Sequence, residues 1–301
     1  MGKTTSIGGQ AVIDGVMMKG PAEYAVSVRL PDGSIRTEVV PYVALGQRYK
    51  VLGLPFIRGI VSFCESMYIG MKTLTYSADI GIEAENEQQE KPVPSWVNQL
   101  MTVGTVLLAV VLALGIFVVI PSLLGSLIGR FIRWTWVTNL FEGLIRMGIF
   151  ILYVALIAQM KDIQTVFEYH GAEHKTINCY ESEKDLTPEQ ALSCTRLHKR
   201  CGTSFMFLVM AISILLFMVV RVSNPWLRVL SRIVLIPVIA AVSYEVLKLS
   251  ARSDNKLLNA LVYPGLLLQK LTTREPNAEQ LEVAIASFNA VLQSEQAETP
   301  A

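Results

Sequence analysis

From Val97 to Gly129 the chain carries no charged side chain, a stretch well beyond the roughly 20 residues that cross a bilayer as a helix. An apolar run of that length leaves a polypeptide few options. With no water at its centre, it folds as a helix whose backbone groups satisfy one another. Pro121 is expected to kink or end it, and Trp96, Trp134 and Trp136 bracket it as interfacial anchors. Three further apolar stretches follow, at about Leu140 to Met160, Gly202 to Val220 and Val229 to Leu249. In the second, Glu142 and Arg146 stand four apart, a spacing at which one charge neutralises the other on a helix. Hydrophobic residues make up 52% of the 301 and charged residues only 17%, the balance of a membrane protein.

The expected fold is mainly α, with four transmembrane helices. A small glycine-rich β unit spans 1–54, an interfacial or packed helix 55–80, and a flexible linker 81–95. The four-span domain covers 96–250 and includes a loop at 161–202, and interfacial and soluble helices complete the chain over 251–301. Within the β unit, Ala22 to Leu30 and Ile35 to Tyr42 alternate apolar and polar residues around Pro31-Asp32-Gly33-Ser34, a hairpin pattern. Upstream, the glycines among Ile7 to Gly20 read as turns, or as a tight loop presenting Gln10 and Asp14. The linker, Glu83 to Pro94, has almost nothing to bury. Residues 278–293 carry Leu281, Ile285, Phe288 and Leu292 at amphipathic helical spacing.

An even number of spans puts both termini and the 161–202 loop on one side. Lys161, Lys175, Lys184, Arg196, Lys199 and Arg200 lie in that loop, and Lys248, Arg252 and Lys256 follow the last span. The opposite loops hold Arg130, Arg133, Arg221 and Arg228. This bias places the loop and both termini in the cytoplasm of a multi-pass plasma-membrane protein. A net charge of +1 and the lack of any nucleic-acid-binding motif exclude a nucleic-acid partner, so the lipid bilayer is the expected one. Met1 to Ser6 lacks the apolar run of a signal peptide. The four cysteines, Cys64, Cys179, Cys194 and Cys201, fall at uneven spacing, which indicates free thiols and not a disulfide framework.

The chain has three histidines, and all lie between positions 170 and 198. His170 and His174 stand one helical turn apart with Glu173 beside them, in the order H-x-x-E-H. In that pattern two imidazoles hold a divalent metal, most often zinc, and the glutamate is a general base. Such a metal needs a third protein ligand. His198 in the same loop is the first choice, Glu245 at the end of the fourth span the second and Glu168 the third. Cys194-x-x-x-His198-x-x-Cys201 with Cys179 makes a closed, structural zinc site an alternative, although the commoner state of such cysteines is that of small buried apolar side chains.

Four blocks resemble a known family. They are Gly8 to Pro21, His170-Gly171-Ala172-Glu173-His174-Lys175-Thr176, Arg200-Cys201-Gly202-Thr203-Ser204-Phe205, and Leu271-Thr272-Thr273-Arg274-Glu275-Pro276. Together they are similar to the YqhQ-like family of bacterial integral membrane proteins, a domain of unknown function catalogued as predicted metal-dependent enzymes. The resemblance implies a multi-span protein with a metal. It departs from the family where Asp14 replaces a frequent glutamate and Lys199 a frequent proline. The expected function is a metal-dependent hydrolase at the cytoplasmic membrane face, with His170, His174, His198 and Glu245 as metal ligands and Glu173 as base. The alternative is a membrane scaffold or assembly factor with a structural metal. A transporter is disfavoured by how few ionisable residues the span centres hold.

Overall fold

The computed structural model describes residues 5–86, 95–132, 134–220, 222, 225–252 and 255–297. The chain divides into two compact units. One gathers residues up to 84 with 157–208 and 240–301; the other holds 85–156 and 209–239.

In the first unit, β1 (Gly8–Val12), β2 (Gly15–Lys19), β3 (Glu23–Arg29) and β4 (Ile35–Pro41) form an antiparallel sheet in the order β1-β2-β3-β4. The expected hairpin is β3–β4, with Glu23 opposite Pro41 and Arg29 opposite Ile35. Its loop closes on Gly33 at φ +86°, while the Asp32 carboxylate accepts from the Ser34 amide and hydroxyl. The glycine-rich segment makes a second hairpin, β1–β2, with Val12 opposite Gly15 across a two-residue turn. There Asp14 takes the left-handed φ of +48°, which aspartate tolerates better than most residues.

The central strands β2 and β3 are covered on both faces, so β2 reads as a continuous apolar run where a half-buried strand would alternate. Val16, Met18 and Ala25 face one core with Leu281, Ala284, Phe288 and Val291. Val12, Met17, Tyr24, Val26 and Val28 face the other with Ile69 and Ile80. Period-2 alternation therefore divides neighbours between α11 (Ala278–Ala297) on one side and α2 (Ile57–Asn86) on the other. Far from lying free as an amphipathic surface helix, α11 is central to the core, with Leu281 and Phe288 fully buried. A short helix α1 (Leu45–Arg48) and a 3₁₀ turn (Lys50–Gly53) precede α2. α2 itself runs to Asn86, into the stretch expected as linker; 87–94 lie outside the described residues.

Four helical segments are long and apolar enough to cross a membrane among the described residues: Val103–Ile128, Thr135–Ile157, Gly202–Val219 and Leu230–Ser250. These match the four expected spans. The first consists of α3 (Ser95–Leu114), a π turn (Gly115–Val119) and α4 (Ile120–Ile128); the second is α5 (Thr135–Ile157). The third and fourth belong to α8 (Gly202–Val219) and α9 (Pro225–Arg252). Pro121 does not end the span, which runs on to Ile128. It has no N–H for the carbonyl four residues back and its ring crowds that carbonyl, and the widened π turn just before it accommodates both defects. The carbonyl concerned is that of Phe117, which accepts instead from Arg146 Nε at 2.9 Å.

Candidate metal centre

The second span stops at Ile157 and does not continue through the histidines. After a break, α6 (Lys161–Glu181) starts afresh from Met160, whose extended ψ of 132° caps it, with Asp162 favouring the positive end of the helix dipole. α7 (Pro188–Leu192) follows, then α10 (Lys256–Thr272) beyond the last span.

One face of α6 binds the returning loop by its carbonyls. Lys175 Nζ donates to the oxygens of Leu192 and Cys194, both at 2.8 Å. Asn178 Nδ2 donates to those of Thr195 and Leu197, and His174 Nδ1 meets Arg196 O at 2.6 Å. Lys175 is buried, and its charge is answered by Glu275 at 2.9 Å. Further along, Gln269, fully buried, accepts from His198 N and donates to His198 O, fixing the loop immediately before Cys201.

The segment after α10 lies against the other side of α6. Arg274 N donates to Phe167 O, and Thr272 O meets His170 Nδ1 at 2.8 Å. Gly171 makes this approach possible, because a Cβ there would stand 2.0 Å from Arg274 O. β1 also comes close: a Cβ on Gly9 would stand 2.9 Å from the Glu173 Cγ.

These contacts decide which ring atoms are available. A carbonyl only accepts, so Nδ1 of both His170 and His174 carries a proton, and it is each Nε2 that is left to face the cluster and, in the neutral ring, to offer a lone pair to a metal. His170 Nε2 faces Cys201 Sγ at 3.3 Å. His170, His174 and Cys201 each offer a ligand atom, all within 4.8 Å of one another. Two imidazoles and a thiol, with backbone carbonyls fixing both rings from behind, make a group able to hold a metal ion. Without a metal, burial works against a charge on His170, but the Cys201 sulfur and Glu173 outweigh it and raise its pKa to about 9. Burial likewise opposes a Cys201 thiolate, and the two histidines overcome that, drawing the thiol well below its ordinary range.

The other expected residues lie elsewhere. The His198 ring is 5.7 Å from that of His174 between centroids, and its Nε2 faces Glu181 at 3.6 Å. Glu245 is held by Arg58, with Nε to Oε1 at 2.7 Å and Nη2 to Oε2 at 2.5 Å. Glu168 accepts from Gln280 at 2.9 Å. Glu173 is 5% exposed beside His170. Cys179 and Cys194 are core side chains, as expected. Cys201 is buried too, but it stands with the two histidines and outside that apolar cluster. In sequence it stood out only as part of Cys194-x-x-x-His198-x-x-Cys201 and of the Arg200 to Phe205 block, neither of which pairs it with His170 and His174. Lys175, Asn178, Gln269 and Thr272 were not foreseen, since their partners are backbone atoms, which leave no imprint on residue type.

A family model described as "Protein of unknown function (DUF1385)" matches residues 54–294. The chain is similar to the "Uncharacterized protein YqhQ" of Bacillus subtilis (strain 168), with 36% identity over 294 residues, 96% of this chain and 92% of that protein. No solved structure matches.

Proposed function

The chain belongs to the DUF1385 family, and on that premise we propose a metal-dependent hydrolase of the plasma membrane whose centre faces the cytoplasm. The observation that carries the reading is the convergence of His170, His174 and Cys201 in one buried cluster, with both rings oriented by carbonyls. Cys201 takes the third ligand position in place of His198 and Glu245, which have other partners. A zinc ion held there would supply a Lewis acid and a water acidified to near neutral pH. Glu173, one residue before His174 and close to His170, is the base that receives the proton. Cys201 is the residue immediately before the third span, so the substrate is one reached at the lipid boundary.

A second reading, a structural metal in a scaffold or assembly factor, draws support from burial, since His174 is 1% and Cys201 7% exposed. Metal analysis of purified protein separates the two. His170→Ala, His174→Ala and Cys201→Ser are expected to lose the metal. Glu173→Gln is expected to keep it and yet fail to restore function in cells. Full function in Glu173→Gln, alongside loss in the ligand variants, would select the structural reading. Undiminished metal in all three ligand variants would end both.

A further inference from the structure

The charges inside the membrane-spanning unit do not balance. Glu142, 1% exposed, is gripped by Arg232, whose Nη1 and Nη2 reach its two oxygens. Arg146 Nη2 donates to the same carboxylate at 3.2 Å. Arg232 Nη1 also donates to Ser122 Oγ at 2.6 Å, and Ser122 Oγ donates to Glu142 Oε1 at 2.9 Å. A guanidinium does not deprotonate in a protein, so one carboxylate faces two fixed positive charges. Among the described residues no second carboxylate pairs with either arginine. The ring of Phe217 stands 6.0 Å from Arg146 and 5.4 Å from Arg232, which spreads the charge without cancelling it.

The surplus sits where it is hardest to tolerate. Arg146 lies eleven residues into the second span, roughly 16 Å along the helix at 1.5 Å per residue. An unmatched charge at such a depth marks a site for a counter-ion. Two of the three guanidinium nitrogens of Arg146 are used, Nε by Phe117 O and Nη2 by Glu142. Nη1 has no acceptor among the described residues, and 17% of the side chain remains open.

We propose that Arg146 and Arg232 form a site for a singly charged oxyanion, a phosphodiester of a lipid headgroup or free dihydrogen phosphate. Arg146 Nη1, the nitrogen left without an acceptor among the described residues, gives the oxyanion a charged donor, Arg232 adds its charge beside it, and one negative charge brings the cluster to neutrality. The site is independent of the histidine centre and of its metal.

The test uses the full chain purified in detergent. Native mass spectrometry reads any phospholipid retained through delipidation, and thermal unfolding is followed against inorganic phosphate at constant ionic strength. Arg146→Gln removes the surplus charge and leaves Glu142 and Arg232 as a neutral pair, so it is expected to fold. Wild type is expected to retain a phospholipid or to be stabilised by phosphate, with at least tenfold weaker binding in Arg146→Gln. Retained lipid assigns the phosphodiester source, and a phosphate response in delipidated protein assigns the free one. Wild type with neither response overturns the proposal whether or not the variant folds. So does an Arg146→Gln protein that binds as tightly as wild type.

Discussion

Replacing Gly171 with alanine adds one carbon in a place that has no room for it. The new Cβ would stand 2.0 Å from Arg274 O, and contacts under 3.0 Å are essentially never seen, so the carbonyl must retreat by about 1 Å. Two hydrogen bonds depend on that stretch of backbone, from Arg274 N to Phe167 O and between Thr272 O and His170 Nδ1, both 2.8 Å. A bond lengthened from 2.8 Å by that much no longer qualifies as one. Overpacking costs about 1–3 kcal/mol and each of the two lost hydrogen bonds about 1 kcal/mol, so unfolding should become about 3–5 kcal/mol easier. The His170 ring, freed from its carbonyl, should weaken metal binding by about 10–100-fold, the usual effect of losing a ligand's supporting partner. Competition against a chromophoric chelator in detergent measures the affinity. Gly81→Ala, on α2 with nothing within 4 Å of the added carbon, controls for the substitution itself; it should leave affinity alone and add up to about 1 kcal/mol of helix stability. Affinity within twofold of wild type in Gly171→Ala would refute the claim that the segment after α10 orients the ring.

Glu142→Gln should destabilise the protein by about 3–5 kcal/mol, since it leaves two buried guanidiniums without their carboxylate; denaturation in detergent checks this, and a change under 1 kcal/mol would contradict the pairing. The Glu181 carboxyl, opposed by burial but favoured by His198, Arg200 and the Thr5 amide, has its pKa held below the ordinary 4.5. A depressed carboxylate contributes stability that is present above the unfolded value and lost as pH falls through the folded one. Stability should therefore decline below about pH 4.5, and Glu181→Gln should flatten that part of the unfolding profile. Maleimide should modify exposed Cys64 promptly and buried Cys179 and Cys194 slowly. Cys201 is as buried as Cys194, at 7% against 8% exposed, but its thiolate is favoured by two histidines, so chelation should make it react faster than Cys194; mass mapping that finds Cys201 no faster after metal removal than before it would count against its role as a ligand.

The spans were legible because uninterrupted apolar length has one structural outcome, and the β3–β4 hairpin because its alternation and Pro-Asp-Gly turn are both local signals. β1 and β2 were less so: a strand buried on both faces lacks the period that identifies it, and Val16-Met17-Met18 reads equally well as a turn-rich apolar stretch. His170 and His174 drew attention by rarity and spacing. Cys201 was legible only as part of a closed site with Cys194 and Cys179; its place beside His170, 31 positions away in sequence, comes from a loop fixed through carbonyls. Glu245 was a reasonable candidate for a ligand until its neighbour was known, and that neighbour, Arg58, lies 187 residues away. The Glu142–Arg146 pair was visible from helix geometry. Arg232, which turns a neutral pair into a charged cluster, came from another helix 90 residues on.

The π turn ties together two choices made on different helices. An alanine at 121 would let the backbone ladder close, and Phe117 O would then prefer the amide restored four residues later. Arg146 would forfeit an acceptor through a change in a side chain it never touches. A regular first helix and an arginine on its neighbour thus compete for one carbonyl, and the proline at 121 leaves that carbonyl to the arginine.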